Sequence, residues 1–148
     1  MAKFENEIQS KGFIVFTSEG DSMMPLIREH RDILVIKKIT EPLKKYDTVL
    51  YKRPGGQYVL HRIIKLYGLG RYGIVGDNRL KIETVPEEWI IGILSEIIKD
   101  GKHISVESDK KYKAYVRKLP LRRFKFKIQR FAMRFKRKLK RMFGREKE

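Results

Sequence analysis

Apolar residues in the first hundred positions come in short runs rich in β-branched side chains, each closed off by turn chemistry. Gly12-Phe-Ile-Val-Phe-Thr17, Ile33-Leu-Val-Ile-Lys37, Thr48-Val-Leu-Tyr-Lys52 and Gln57-Tyr-Val-Leu-His-Arg-Ile-Ile64 have the length and make-up that predict strands. Tyr72-Gly-Ile-Val75, Trp89-Ile-Ile-Gly-Ile-Leu94 and His103-Ile-Ser-Val-Glu107 extend the series. Arg53-Pro54-Gly55-Gly56 supplies a fixed φ and then residues that accept positive φ, so it predicts a hairpin. Asp100-Gly101 predicts the turn into the last run. Phe4–Gln9 reads as a short helix. Strands this numerous, without long helices between them, predict a mainly β, antiparallel domain.

After Asp109 the period changes. Leu121, Phe124, Ile128, Phe131, Phe135, Leu139 and Met142 recur every three or four positions, which is one apolar stripe on an α-helix. Lys and Arg fill most of the positions between. Pro120 suits the first turn of a helix over 121–143, and Gly144 suits its end. The chain therefore divides into a β body over 1–109 and a basic amphipathic helical tail over 110–148.

Charge sharpens that division. Of 35 Lys+Arg and 18 Asp+Glu, residues 110–148 hold 18 basic and 2 acidic groups, a net of +16. The body keeps 17 basic and 16 acidic groups and is nearly neutral. The basic balance thus belongs to the tail and explains nothing about the body. With no Cys in the chain, disulfide scaffolds, thiolate zinc sites and cysteine nucleophiles are excluded. Three scattered histidines make no metal site, and no cofactor is expected. A membrane span needs about 20 consecutive apolar residues, and no run approaches that length. Met1–Gly20 carries Lys3, Glu5, Glu7, Lys11 and Glu19 and does not read as an export signal. The expected location is cytoplasmic, with peripheral attachment at a membrane through the tail.

Three short segments could carry chemistry. Gly20-Asp21-Ser22-Met23-Met24-Pro25 presents a serine in a sharp loop, either a polar turn or a nucleophile that needs a neighbouring base. His61 lies among apolar residues of a predicted strand, either as a half-buried core histidine or as that base. Asp77, in Gly76-Asp77-Asn78, either caps a turn or orients the imidazole. His30 and His103 look like surface residues.

In order along the chain, these segments resemble the boxes of the type I signal peptidase family, and more distantly those of the self-cleaving phage-repressor peptidases. Ser22-Met23-Met24-Pro25 followed by Asp32-Ile33-Leu34-Val35-Ile36 is similar to the nucleophile box. Asp47-Thr48-Val49-Leu50-Tyr51 is similar to the second box, and Tyr58-Val59-Leu60-His61-Arg62-Ile63 to the base box in its histidine form. Gly76-Asp77-Asn78 and Trp89-Ile90-Ile91-Gly92-Ile93-Leu94 complete the set, so the resemblance covers roughly residues 12–98.

The resemblance implies a signal-peptidase-like β domain and a serine endopeptidase acting on a precursor or leader peptide. Ser22 would attack, His61 would take its proton, and Asp77 would hold His61. The Ser22 N–H would serve the oxyanion. The substrate would lie extended, bound by strand addition. The sequence departs from the family in having no membrane span before Ser22 and Gly20 where many relatives have Ser. It also has Arg31-Asp32 and Tyr46-Asp47 where they have Gly-Asp. A catalytically silent peptide-binding module of the same fold is the alternative.

The tail has its own candidate partners. Phe124, Ile128, Phe131 and Phe135 beside Arg130, Arg134 and Lys138 suit an anionic membrane surface. Packing of the stripe on the body, or in a groove of a partner protein, is the alternative. Nonspecific nucleic-acid binding would use the charge and leave the phenylalanines without a task; no specific nucleic acid is expected.

Overall fold

A computed structural model describes residues 3–143. The chain begins with helix α1, Lys3–Lys11, and continues through strands β1 Phe13–Thr17, β2 Ile33–Lys37, β3 Thr48–Lys52 and β4 Tyr58–Gly68. Strands β5 Arg71–Val75, β6 Glu83–Pro86, β7 Ile90–Lys99 and β8 Lys102–Ser105 precede helix α2, Lys110–Phe143. All eight strands join one antiparallel sheet in the order β1-β2-β7-β3-β4-β5-β6, with β8 also paired to β7. The architecture is mainly β with a long C-terminal helix.

Alternation along β3 separates two cores. Val49 and Tyr51 point into one with Ile63, Ile74 and Val85, while Leu50 points into the other with Ile14, Leu34, Ile36, Leu60, Leu94 and Ile97. Successive strand side chains face opposite ways, so a strand buried on both faces shows a continuous apolar run. Ile8 of α1 and Met23, Leu26 and Ile27 of the loop after β1 close the second core. Fully burying each such aliphatic side chain is worth about 1.5–3 kcal/mol.

Several element boundaries differ from the sequence expectation. β4 runs four residues past Ile64, and β7 continues from the predicted Leu94 to Lys99. Trp89 sits in a short 3-10 turn, Glu87–Trp89, before β7 begins. β6 was invisible to patterning because Glu83-Thr-Val-Pro86 has a single buried apolar residue, Val85. It lies at a sheet edge, where Pro is tolerated.

α2 starts at Lys110, not at Leu121, and Pro120 lies inside it. Asp109 caps the new start, its carboxylate accepting the Tyr112 N–H at 2.7 Å. Tyr112, Tyr115 and Val116, at helical spacing among lysines, pack against the core. The chain forms two compact units divided between Val116 and Arg117. Pro120 cannot donate to the carbonyl of Val116, so the helical ladder loses one bond beside that division. Gly144, the expected helix end, lies outside the described residues.

Candidate active site

Ser22 stands in the tight loop between β1 and β2. Met23, 4% exposed, and the buried Leu26 and Ile27 anchor that loop, so the residue beside Ser22 belongs to the core. Polar contacts hold the other side. Gly20 turns the chain with a φ of 83° and donates its N–H to Glu29 at 2.6 Å. The Ser22 carbonyl accepts the Asn78 N–H at 2.8 Å. Asn78 Nδ2 donates to the Asp21 carbonyl at 3.2 Å, and Arg79 pairs with the Asp21 carboxylate. The loop after β5 is thus tied directly to the serine loop.

Gly76 lies between the serine and the histidine. A Cβ placed on it would sit 2.6 Å from the Ser22 carbonyl oxygen, and 3.1 Å from both Ser22 Cβ and His61 Nε2. Ser22 Cβ and His61 Nε2 therefore lie within twice that distance of each other, across the bare face of Gly76. Both line one cavity of about 760 Å³, shared with Phe4, Phe16, Met23, Leu60 and Arg79. No hydrogen bond joins Ser22 Oγ to the ring in this structure. Among the described residues the Ser22 N–H takes no partner, so it is free to serve an oxyanion.

The other ring nitrogen has a different neighbour. His61 Nδ1 faces Tyr51 Oη at 3.5 Å, and Tyr51 Oη donates to Glu83 Oε2 at 2.8 Å. Arg53 donates from Nε and Nη2 to the same carboxylate at 2.9 and 2.6 Å. Since the Tyr51 proton is committed to Glu83, its oxygen offers a lone pair to Nδ1. That assigns the proton to Nδ1 and leaves the Nε2 lone pair toward Gly76 and Ser22.

Burial is the main reason the His61 pKa is pushed down from 6.5 to about 4, and the nearby Arg53 cation adds to it. The ring therefore stays neutral well below the pH at which an ordinary histidine takes up its proton. Burial and the accepting carboxylate raise the Tyr51 phenol well above its ordinary range. The Arg53 hydrogen bonds hold Glu83 below the usual carboxylate range, against its partial burial.

Asp77 is engaged elsewhere. Its carboxylate accepts from Arg62 Nε and Nη2 at 2.8 and 2.9 Å and from Tyr115 Oη at 2.9 Å. No hydrogen bond joins it to His61, although its charge still favours the imidazolium. Strand alternation is the reason: His61 turns toward Tyr51, and Arg62, the next residue, turns toward Tyr112. Pattern reading singled out Asp77 but missed Arg62, Tyr51, Glu83 and Gly76. The only signal available was that Tyr51 and His61 fall on one face once β3 and β4 are paired with Val49 opposite His61.

The remaining candidates fall as follows. His30 and His103 are exposed. Among the described residues no three His, Cys, Asp or Glu side chains gather as a metal site. In the tail, Phe124, Ile128, Phe131, Phe135, Arg130, Arg134 and Lys138 are exposed, with Arg130 over the Phe126 ring at 5.2 Å. No protein-family model and no curated protein matches the chain.

Proposed function

We propose that this chain is a serine endopeptidase that cleaves a peptide bond in a precursor or leader peptide. The observation that carries the reading is the approach of Ser22 and His61 Nε2 to the same face of Gly76, inside one cavity. In the proposed reaction Ser22 Oγ attacks the carbonyl carbon while Nε2 takes its proton. The Ser22 N–H steadies the oxyanion, and the imidazolium then protonates the leaving amine. Water, deprotonated by the same nitrogen, releases the acyl group. β1 is an edge strand whose last residue, Thr17, opens onto the cavity. An extended substrate can add to it through main-chain hydrogen bonds.

The test pairs a serine-reactive fluorophosphonate with a peptide library read by mass spectrometry. Expected are an adduct on Ser22 and internal cleavages, both reduced at least about a thousandfold in Ser22→Ala and His61→Ala. Cleavage that persists in both variants, or its absence from the parent across the library, overturns the proposal. A peptide-binding module that does not turn over is the second reading. Its support is the unformed Ser22–His61 hydrogen bond and a ring whose lowered pKa makes it a weak base. It predicts bound library peptides that emerge intact.

A further inference from the structure

From Arg117 to Phe143 the chain carries thirteen Lys or Arg residues and no Asp or Glu, all within α2. Arg123 and Lys127, Arg130 and Arg134, Arg134 and Lys138, Lys136 and Lys140, and Arg137 and Arg141 are like-charged at four-residue spacing. In water each such pair opposes the helix. A surface of the opposite sign removes that penalty, so the charge pattern itself calls for an anionic partner.

The apolar positions define what else that partner must offer. At 3.6 residues per turn, Leu121, Phe124, Ile128, Phe131, Phe135, Leu139 and Met142 fall within about a quarter of the helix circumference. Phe124 is 62% exposed and Phe131 73% exposed. Lys and Arg occupy most of the remaining arc. The partner therefore presents negative charge and an apolar layer side by side, which a lipid headgroup region does and a phosphate backbone alone does not. Among the described residues no helix is long and apolar enough to cross a bilayer, so the geometry is that of a helix lying in the interface.

We propose that the helix over 117–143 binds the surface of an anionic membrane. Its stripe enters the boundary of the acyl chains, and Arg130, Arg134 and Lys138 engage headgroups. The inference is independent of Ser22 and His61, and Ser22→Ala is expected to bind lipid as the parent does.

The test is flotation of the full chain with vesicles of phosphatidylcholine alone or mixed equally with phosphatidylglycerol. At least about tenfold more protein is expected on the anionic vesicles, since each basic group near such a surface favours partitioning about fivefold. Replacing Phe124, Phe131 and Phe135 together by Ser is expected to cut flotation about tenfold or more. Replacing the off-stripe residues Phe126 and Met133 by Ser is expected to leave it within about twofold. Equal flotation on both vesicles overturns the proposal. So does a stripe variant that floats like the parent, a result that assigns the tail to charge alone and to polyanions such as nucleic acid.

Discussion

Arg62 and Asp77 form a two-pronged ion pair sealed from solvent, their side chains 0% and 2% exposed. The remaining Arg62 nitrogen, Nη1, donates to the Tyr46 carbonyl at 2.9 Å and to Tyr112 Oη at 3.2 Å. One guanidinium thus joins β4, the loop after β5, the turn before β3 and the first turns of α2. Its place in the fold is that of a clamp behind the site.

Breaking such a pair from one side leaves a buried charge uncompensated, typically a loss of about 3–5 kcal/mol. Asp77→Asn is expected to lose stability on that scale in urea denaturation. Adding Arg62→Met to it is expected to restore a substantial part. At a temperature where Asp77→Asn remains folded, its turnover is expected to fall less than about tenfold. An Asp that orients the imidazole itself would cost about ten-thousandfold in kcat.

If His61 is oriented through Tyr51, the ring should report the loss of that chain. Tyr51→Phe is expected to lower kcat about tenfold with KM little changed, since it removes a positioning contact and no substrate contact. Two charge variants give opposite signs. Glu83 favours the imidazolium and Arg53 opposes it, so Glu83→Gln moves the His61 pKa down and Arg53→Gln moves it up. Following the ring proton by NMR titration checks both; shifts of the same sign would remove this arrangement from the account.

Patterning along the chain was enough for the β-rich body, the hairpin at Pro54-Gly55 and the change of period in the tail, because each depends on local sequence. Pro120 misled as a helix start, since the capping Asp109 and the packed Tyr112, Tyr115 and Val116 are interrupted by lysines. Ser22 and His61 could be picked out by residue type and order. The partners of Asp77 could not. They depend on which face of β4 each side chain takes and on what the start of α2 brings beside it, and both are tertiary facts. Tyr46 shows the same limit: a tyrosine occupies a φ of 77° where the resemblance implies glycine, and the turn forms nonetheless.

The lowered pKa of His61 makes two pH statements. With the folded value at about 4, the ring is already neutral at mild acidity, so kcat/KM of the free enzyme should begin its acidic decline near pH 4 instead of 6.5. For stability, the folded value lies below the unfolded one, so the unfolded chain binds the extra proton between them. The contribution of a neutral His61 is complete above about pH 6.5 and is lost as pH falls toward 4, amounting to about 3 kcal/mol. Urea midpoints across that range are expected to fall for the parent and to flatten in His61→Gln. A rate that rises only above about pH 9 would point to a lysine base instead.

Gly76 carries the sharpest steric prediction. Its backbone is outside the left-handed region, so alanine differs there only by the room its methyl group needs. That room is already occupied: the Ser22 carbonyl oxygen would stand 2.6 Å away, and it cannot retreat without losing the Asn78 N–H it accepts. Gly76→Ala should therefore push the serine loop from the histidine, costing about 1–3 kcal/mol of stability as overpacking does. Turnover should fall about a hundredfold from a displacement near 1 Å. Gly68→Ala supplies the contrast, with a φ of 78° and nothing within 4 Å of the added methyl. It should lose about 1–2 kcal/mol through backbone strain alone and keep its turnover. Equal turnover in the two variants would mean that the approach of Ser22 to His61 across Gly76 has no part in the chemistry.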